Sequence, residues 1–268
     1  MQEIQGRLMT VDTLAEDLRR LGVSPGMTLI VHSSFKSLGS WVLGGPAAVI
    51  LALEQALGPE GTLVMPTHSS DLCDPAGWRN PPVNPAWWDE IREQMPPYDP
   101  SLTPTRMMGV IPECFRKQDG VMRSRHPMQS FAAWGKHAER ITAEQSYDYS
   151  MGEQSPLARV YELDGRVLLL GVGNANNTSL HLAEVRANYA GKREMTARSP
   201  IRKDGGSCWL SYTELEYDSD DFERLGEQFE KEAGLVTRGK IGDAESLLIP
   251  QRAIVDYAVK WLEGNRKG

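Results

Sequence analysis

The sequence has few cysteines and lacks the long apolar runs of membrane proteins. Its 268 residues contain three cysteines, Cys73, Cys114 and Cys208, which are widely spaced and form no C-x-x-C pair. This usage is typical of a reducing compartment, so we expect a cytoplasmic protein. No apolar run approaches the roughly 18 residues that a membrane span needs, and the N-terminal segment is polar rather than signal-like. We therefore expect no membrane partner.

A surplus of basic residues is also absent. The chain has 29 lysines and arginines against 36 acidic residues, a formal net charge of −7, which argues against general nucleic-acid binding. The whole surplus lies within residues 214–232, which contain nine acidic and two basic residues. Such a run can be an ordinary solvated helix face, or it can be a surface that attracts a cationic ligand.

Apolar periodicity and turn residues predict an α/β fold. The predicted elements are helices over 10–21, 44–58, 177–189, 220–234 and 246–263, and strands over 27–32, 62–67, 129–134, 166–173, 196–201 and 207–215. The early β-α-β order predicts a mixed central sheet with a parallel β-α-β part flanked by helices, and ligands at the carboxyl ends of its strands. The later elements predict a smaller antiparallel and helical C-terminal lobe. We expect one domain over 1–268, with a larger lobe at about 1–194, a smaller lobe at about 195–245 and a closing helix at 246–268.

The segment at 68–104 differs from its surroundings. It contains eight prolines and three tryptophans. The prolines exclude a long helix, and the tryptophans indicate packing against another surface, so we expect an ordered flank rather than a linker. A further helix is predicted to begin within 103–117, with Thr103 or Thr105 as its N-cap and a kink at Pro112.

The segment 171–184, GVGNANNTSLHLAE, carries the clearest chemistry. A strand ends in glycines, the chain turns, and a helix begins on which His181 and Glu184 share a face. A carboxylate at this spacing can orient an imidazole for acid–base work, although an ordinary surface pair has the same spacing. Asn176 replaces the third glycine of a dinucleotide fingerprint, so that interpretation is weak.

A metal site and a serine hydrolase both have little support. His32, His68 or His126 could join His-x-x-Glu as ligands, but the chain has no HExxH and no tight cluster of ligands, so we expect no metal. No G-x-S-x-G elbow is present. His126 precedes Pro127, and we expect it to be a buried structural histidine.

Two hydroxyl-rich segments could hold phosphate oxygens. Ser33, Ser34 and Lys36 follow the first predicted strand, and residues 103–106 (TPTR) combine hydroxyls with a cation. Hydroxyls, backbone amides and a nearby cation are typical phosphate contacts. Two such segments on one chain favour an extended polyphosphate ligand.

These motifs together resemble the aminoglycoside N(3)-acetyltransferase family, from about residue 8 to about residue 262. The stretches that carry the resemblance are HSSFKSLGSWVLGGPAAVILAL, GTLVMPT, WRNPPVNPAWWDEIREQMPPYDPSLTPTRMMGVIPECFR, RSRHPMQSFAAWG, GEQSPLARVYELDGRVLLLGVG and NTSLHLAE. The resemblance implies transfer of an acetyl group from acetyl-CoA to the 3-amino group of a 2-deoxystreptamine antibiotic, and hence antibiotic resistance. The Q/R-x-x-G-x-G/A motif of the other large N-acetyltransferase superfamily is absent.

The resemblance also implies roles for individual residues. It makes His181 the general base, with Glu184 orienting it and Thr178 assisting. Contacts to coenzyme A are expected from Ser33, Ser34, Lys36, Thr103, Thr105 and Met108. Contacts to the acceptor are expected from Asp71, Glu113, Tyr147 and Asp148. The larger lobe would bind coenzyme A and catalyse, and the smaller lobe would flank the acceptor. His68 and Cys73 depart from the family's pattern.

Other functions remain open at this point. The same chemistry could serve a non-aminoglycoside amine, the chain could bind a coenzyme A-like or cationic ligand without turnover, or it could be a metalloenzyme. The expected partners are acetyl-CoA and a cationic aminoglycoside, without nucleic acid, and the chain is expected to be a monomer or a homodimer. We also expect the acidic run at 214–232 to help steer a polycationic acceptor.

Overall fold

A seven-stranded mixed sheet forms the centre of the computed structural model, which describes residues 3, 5–39 and 41–267. The strands are β1 (Leu8–Met9), β2 (Thr28–Ser33), β3 (Trp41–Val42), β4 (Thr62–Pro66), β5 (Met122–Arg123), β6 (Phe131–Gly135), β7 (Arg166–Leu170), β8 (Glu194–Lys203), β9 (Gly206–Leu215), β10 (Thr237–Ile241) and β11 (Ala244–Pro250). The helices are α1 (Val11–Leu21), α2 (Pro46–Leu57), α3 (Trp88–Gln94), α4 (Val110–Phe115), α5 (Ala138–Thr142), α6 (Pro156–Glu162), α7 (Ser179–Arg186), α8 (Phe222–Ala233) and α9 (Gln251–Asn265).

The central sheet has the order β10-β11-β7-β2-β4-β6-β5. Strand β2 pairs in parallel with both β4 and β7, and the remaining pairs of this sheet are antiparallel. Strands β8 and β9 form a separate antiparallel hairpin, and β1 pairs with β3 in parallel. The predicted α/β fold, with a mixed central sheet and a small antiparallel sheet, is confirmed.

Both faces of the central sheet are buried, and the alternation along β2 shows how. Leu29 and Val31 point into one core with α1 and α2, whereas Ile30 points into the other core with α6, α7 and α9. Successive side chains of a strand face opposite sides, so a strand buried on both faces has an unbroken apolar sequence. For this reason the short apolar runs of the sequence predict these strands well.

The ends of α1 and α2 agree with the sequence-based expectation. The Thr10 hydroxyl accepts from the backbone amide of Thr13 at 3.2 Å, and the Thr13 hydroxyl accepts from the amide of Thr10 at 2.8 Å. Gly22 closes α1 at a φ of 108°, in the left-handed region that glycine enters freely. Pro46 is the first residue of α2, where its missing N–H costs nothing.

The prediction that a helix begins at Thr103 or Thr105 is wrong about the starting residue. Helix α4 begins at Val110 and is capped by Gly109, which has a φ of 86°. The Thr103 hydroxyl instead accepts from the amide of Asp99 at 2.9 Å and so holds a turn. Pro112 lies in the first turn of α4, where it leaves no broken hydrogen bond and therefore requires no kink.

The prediction of a closing helix over 246–263 is wrong for its first five residues. Residues 244–250 form β11, which pairs antiparallel with β7, and α9 begins only at Gln251. A short apolar run such as Leu247–Ile249 fits a strand or a helix equally well, and its pairing with β7 decides the outcome. Residues 237–250 therefore lie in the central sheet, although the expected boundary of the smaller lobe is near residue 245.

The proline-rich flank packs against the β8–β9 hairpin. The indole N–H of Trp209 donates to the Arg92 carbonyl at 2.6 Å, and the Tyr98 amide donates to the Pro200 carbonyl at 3.0 Å. Trp87, in contrast, is 56% exposed, so not every tryptophan of the segment packs as expected. Within the described ranges, no helix has the length and apolar character that a membrane crossing demands.

His126 is fully buried and hydrogen-bonded, as expected of a structural histidine. Its Nδ1 accepts from the Gln129 amide at 2.9 Å, and its Nε2 donates to the Tyr147 carbonyl at 3.3 Å. These two contacts fix a neutral ring with its proton on Nε2. Burial lowers the pKa of His126 to about 4, and the bond to Tyr147 only partly opposes this.

We expect His126→Asn to make stability less sensitive to acid. Between pH 6.5 and about 4 the unfolded chain gains a proton at His126 that the folded chain does not, so this residue lowers the free energy of unfolding as the pH falls. The slope is at most about 1.4 kcal/mol per pH unit. Urea unfolding at several pH values should show a shallower slope for the variant, with His137→Asn as the control. Identical slopes for wild type and His126→Asn would contradict this expectation.

Candidate active site

A cavity of about 660 Å³ lies at the carboxyl ends of the parallel strands. Its wall combines the end of β2 and the turn that follows it, the segment from β7 into α7, and the entry to α4. Strand β2 lies between β4 and β7, so these loops meet at one edge of the sheet. Ligands of open α/β sheets commonly bind at this edge.

His181 lies on the wall of this cavity, and Glu184 lies behind it. The Glu184 Oε2 atom is 2.5 Å from His181 Nδ1. The Glu184 side chain is fully buried, whereas that of His181 is 14% exposed. An ionised carboxylate can only accept, so the neutral ring carries its proton on Nδ1, and Nε2 is left as the basic nitrogen.

Two aromatic rings hold the imidazole of His181. The Tyr217 ring centre lies 4.9 Å from the His181 ring centre, and the Phe222 ring centre lies 5.0 Å away. The Tyr217 hydroxyl donates to Glu214 at 2.8 Å, which fixes the tyrosine in turn. Since both rings pack on it, His181 is confined to one orientation.

Thr178 and His32 lie on the same wall as His181. The Thr178 hydroxyl is 3.4 Å from His32 Nε2, and either atom can be the donor. Burial, together with the charge that His181 can carry, lowers the pKa of His32 to about 3. His32 is therefore neutral at physiological pH and acts as a hydrogen-bond partner for Thr178.

The turn after β2 brings polar groups to the cavity. Ser33, Ser34 and Lys36 all line it, and Met108 faces it from the entry to α4. The Ser33 hydroxyl oxygen is buried and has no hydrogen-bond partner in the described part of the chain. The Ser34 hydroxyl accepts from Ser37 at 2.9 Å. A buried hydroxyl without a protein partner is available to a ligand.

The match to a family model identifies the protein family. A model described as aminoglycoside 3-N-acetyltransferase matches residues 30–263. The chain belongs to the aminoglycoside 3-N-acetyltransferase family. This result confirms the resemblance found from the sequence, and it makes the chain a member of a family of N-acetyltransferases.

Several members of the aminoglycoside 3-N-acetyltransferase family are similar over nearly the whole chain. The SPbeta prophage-derived aminoglycoside N(3')-acetyltransferase-like protein YokD of Bacillus subtilis (strain 168) is 44% identical over 96% of this chain and 93% of its own. Aminoglycoside N(3)-acetyltransferase VII of Streptomyces paromomycinus is 37% identical over 95% and 92%.

Solved structures of the family superpose closely on this fold. The crystal structure of YokD from Bacillus subtilis has a TM-score of 0.94 at 43% identity, covering 97% of this chain and 96% of its own. The AAC-IIIb binary with CoASH has a TM-score of 0.87 at 34% identity, covering 97% and 98%. AAC-VIa bound to sisomicin has a TM-score of 0.87 at 28% identity, covering 98% and 100%.

Seven of the sequence-predicted site residues lie off the wall of the cavity that His181 lines: Glu184, which lies behind His181, and Asp71, Thr103, Thr105, Glu113, Tyr147 and Asp148. The Thr103 hydroxyl holds its turn, and the amide and hydroxyl of Thr105 both donate to Glu113 at 2.9 Å. Burial opposes the ionisation of Glu113, but hydrogen bonds from Arg116, Lys117 and Thr105 hold its pKa well below the usual range. The Glu113 carboxylate is therefore already engaged by hydrogen bonds from within the protein.

Asp71 lines a second cavity of about 400 Å³, together with Cys73 and Arg106. Met107 lines both this cavity and the cavity that His181 lines, so the two are neighbours. Met107 is 87% exposed and has a φ of 59°, an unusual conformation for a non-glycine residue.

Tyr147 and Asp148 lie beside the β8–β9 hairpin. The Tyr147 ring packs against His126 and Tyr212, with ring centres 5.9 and 6.3 Å apart. Asp148 accepts from the Thr213 amide at 2.7 Å. Both residues thus connect the loop before α6 to the hairpin, and neither lies on the wall of a cavity described above.

Sequence reasoning missed four residues that surround His181 and Glu184. His32 was considered only as a metal ligand, although its position at the end of a buried strand could have suggested a site role. Tyr217 and Phe222 lie within the acidic run, and Arg266 lies near the C-terminus, where no motif marks any of them. No group of three or more histidine, cysteine, aspartate or glutamate residues in the described chain is arranged to hold a metal ion.

We expect Glu184→Gln to reverse the tautomer of His181. Arg266 and the Asp218 amide both donate to Oε1, so a glutamine would keep its oxygen there and turn its NH₂ toward His181 Nδ1. The ring would then carry its proton on Nε2. Nitrogen-15 NMR near pH 8, with His181→Asn for assignment and Glu153→Gln as control, should show the change. Protonation at Nδ1 in Glu184→Gln would contradict this geometry.

Proposed function

We propose that this chain transfers the acetyl group of acetyl-CoA to the 3-amino group of 2-deoxystreptamine aminoglycosides, with His181 as general base. The observation that supports the base is the 2.5 Å contact of Glu184 Oε2 with His181 Nδ1, at the wall of the cavity that follows the parallel strands. The similarity to AAC-IIIb with CoASH and to AAC-VIa with sisomicin supports both substrates. Acetylation of the drug would give resistance to it.

The reaction needs a base at His181 because an ammonium group has no lone pair to attack with. Nε2 takes a proton from the acceptor's amine as its nitrogen attacks the thioester carbonyl carbon. The C–S bond then breaks, the acetyl group stays on nitrogen as an amide, and the imidazolium of His181 returns the proton to the sulfur, which leaves as the coenzyme A thiol. Glu184 stabilises the imidazolium that forms in between.

The hydroxyls of the cavity suit the charge that develops during attack. The carbonyl oxygen of the thioester becomes an oxyanion, which hydrogen-bond donors stabilise. Thr178 and Ser33 are donors on the same wall as His181, and the Ser33 hydroxyl is free of protein partners in the described structure. We assign this stabilising role to them.

Coenzyme A would lie along the turn after β2. The exposed Lys36 and the hydroxyls of Ser33 and Ser34 offer contacts for its pyrophosphate, and Met108 offers an apolar contact for its pantetheine arm. Thr103 and Thr105 lie off this wall and would act only through the structure of the loop before α4. The three cysteines are free, which fits the reducing cytoplasm where acetyl-CoA is available.

The acceptor would approach from the side of the β8–β9 hairpin. A third cavity, of about 990 Å³, is lined by Tyr217 and by part of the acidic run, including Glu216, Asp218 and Asp220. Tyr217 packs on His181, so this tyrosine lies between the third cavity and the base. Glu214, in contrast, is buried and accepts from Tyr217 and from the Ser150 amide, so it cannot steer a ligand.

We expect His181→Asn to abolish acetyl transfer without loss of coenzyme A binding. Asparagine keeps a polar side chain but has no basic nitrogen, so kcat should fall by about 10²- to 10⁴-fold. Thiol release from acetyl-CoA and mass spectrometry of the acceptor measure the rate, and calorimetry with coenzyme A measures binding. His137→Asn is the matched control.

A panel of amine acceptors tests which substrate receives the acetyl group. Drugs with a free 3-amino group should gain one acetyl group, whereas drugs blocked at that position should not. Activity on non-aminoglycoside amines alone would show that the proposed acceptor is wrong, but it would not contradict the role of His181 as general base. Wild-type turnover by His181→Asn would overturn the base, and no product from any amine would favour a binding protein.

We expect Glu216→Gln/Asp220→Asn to raise the KM for an aminoglycoside at low salt. Both side chains are exposed and line the third cavity, so their removal weakens attraction of a polycation while kcat stays within about 2-fold. The difference should disappear above about 0.5 M salt. Glu227→Gln/Glu232→Gln on α8 removes the same charge outside this cavity. Equal KM values for the two double variants would make the run an ordinary solvated face.

A further inference from the structure

Arg266 lies just beyond α9 and reaches back to the carboxylate of Glu184. Its Nη1 is 2.5 Å from Glu184 Oε1, and its side chain is only 12% exposed. The Asp218 amide donates to the same oxygen at 3.1 Å. Arg266 therefore joins the chain's C-terminal segment to the residue that orients His181.

The two oxygens of Glu184 have separate partners. Oε1 accepts from Arg266 and from the Asp218 amide, and Oε2 accepts from His181 Nδ1. A carboxylate without solvent exposure is costly unless it is paired and hydrogen-bonded. Arg266 supplies the positive charge for that burial, and by occupying Oε1 it leaves Oε2 directed at the imidazole.

Arg266 is itself held in place on three sides. Its Nε and Nη2 donate to the two oxygens of Asp221 at 2.9 and 2.7 Å, and Nη2 also donates to the Asp218 carbonyl at 2.6 Å. The guanidinium lies 5.0 Å from the Tyr189 ring centre. A planar fork with two carboxylate partners is specific to arginine, since a lysine offers a single point of charge.

We propose that Arg266 is a positioning residue for acetyl transfer, which fixes the rotamer and the charge of Glu184 and thereby aims His181 Nε2 at the acceptor's amine. This inference rests on the proposed function, because it assumes that His181 is the base. Arg266 is part of the wall of the third cavity, but its guanidinium nitrogens are directed at Glu184 and Asp221, so we assign its effect on the reaction to Glu184 rather than to contact with a substrate.

A purely structural role would also explain an arginine at this place. The same contacts tie the segment after α9 to the turn at 218–221. Loss of that tie would lower stability, whether it were broken at Arg266 or at Asp221. Only the positioning role requires a cation at Glu184 itself, so the two roles differ in what a small diffusible cation can restore.

The test is chemical rescue of Arg266→Ala by guanidinium. The deleted side chain would leave a space that adjoins the third cavity, whose wall includes Arg266, so guanidinium ion can enter. Acetyl transfer is measured at 0–50 mM guanidinium chloride, with sodium chloride at equal ionic strength and methylammonium chloride as controls. Arg266→Lys, Asp221→Asn and Arg252→Ala, an exposed arginine of α9, are assayed in parallel with their Tm values.

We expect kcat of Arg266→Ala to fall by about 10- to 100-fold, with KM for both substrates within about 3-fold. Guanidinium should restore kcat at least 5-fold in a saturable manner, and methylammonium and sodium should not. Arg266→Lys should recover only part of kcat. Asp221→Asn should lose less kcat than Arg266→Ala at a similar loss of Tm, and Arg252→Ala should match wild type.

Two results would overturn the inference. One is wild-type kcat in Arg266→Ala. The other is an equal loss of kcat in Arg266→Ala and Asp221→Asn that guanidinium does not restore, which would assign Arg266 to a structural tie. Failure of the proposed function is distinguishable, because the wild type would then form no acetylated amine or His181→Asn would keep wild-type turnover, whatever Arg266→Ala does.

Discussion

The burial of one carboxylate organises the candidate active site. Glu184 has no solvent-exposed surface, and its charge has to be matched within the protein. Three elements meet to do this: α7 brings His181, the turn before α8 brings the Asp218 amide, and the segment after α9 brings Arg266. The packing of α7, α8 and α9 on one face of the sheet therefore also assembles the His181–Glu184 pair.

The other half of the site depends on the topology of the sheet. Because β2 lies between β4 and β7, the loops that follow these parallel strands open on one edge, and their hydroxyls face the same cavity as His181. The neutral, buried His32 contributes a hydrogen bond to Thr178 there rather than a charge. The cavity thus presents hydroxyl groups and the His181 imidazole to a ligand, and the proposed attack on a thioester depends on this arrangement.

Several acidic residues of the run at 214–232 are buried or paired in the folded protein, so the run presents less charge to a ligand than its sequence suggests. Glu214 is buried within hydrogen bonds, and burial raises its pKa. Asp221 is paired with Arg266, and Glu230 is paired with Arg238. Only part of the run lines the cavity beside Tyr217, so the proposed attraction of a cationic acceptor depends on the local arrangement of these charges rather than on the net charge of −7.

The sequence by itself determined the α/β class, the buried strands around β2, the ends of α1 and α2, the family, and the pairing of His181 with Glu184. The family follows from the resemblance of whole stretches of sequence to its members. The other features follow from local periodicity, capping and a spacing of three residues on a helix, which need no distant partner. The tertiary structure alone decided that residues 244–250 form a strand, that Glu113 is occupied by Arg116, and that Arg266 reaches Glu184. Each of these depends on contacts between segments far apart in the chain, where an apolar run or a lone charge carries no mark of its partner.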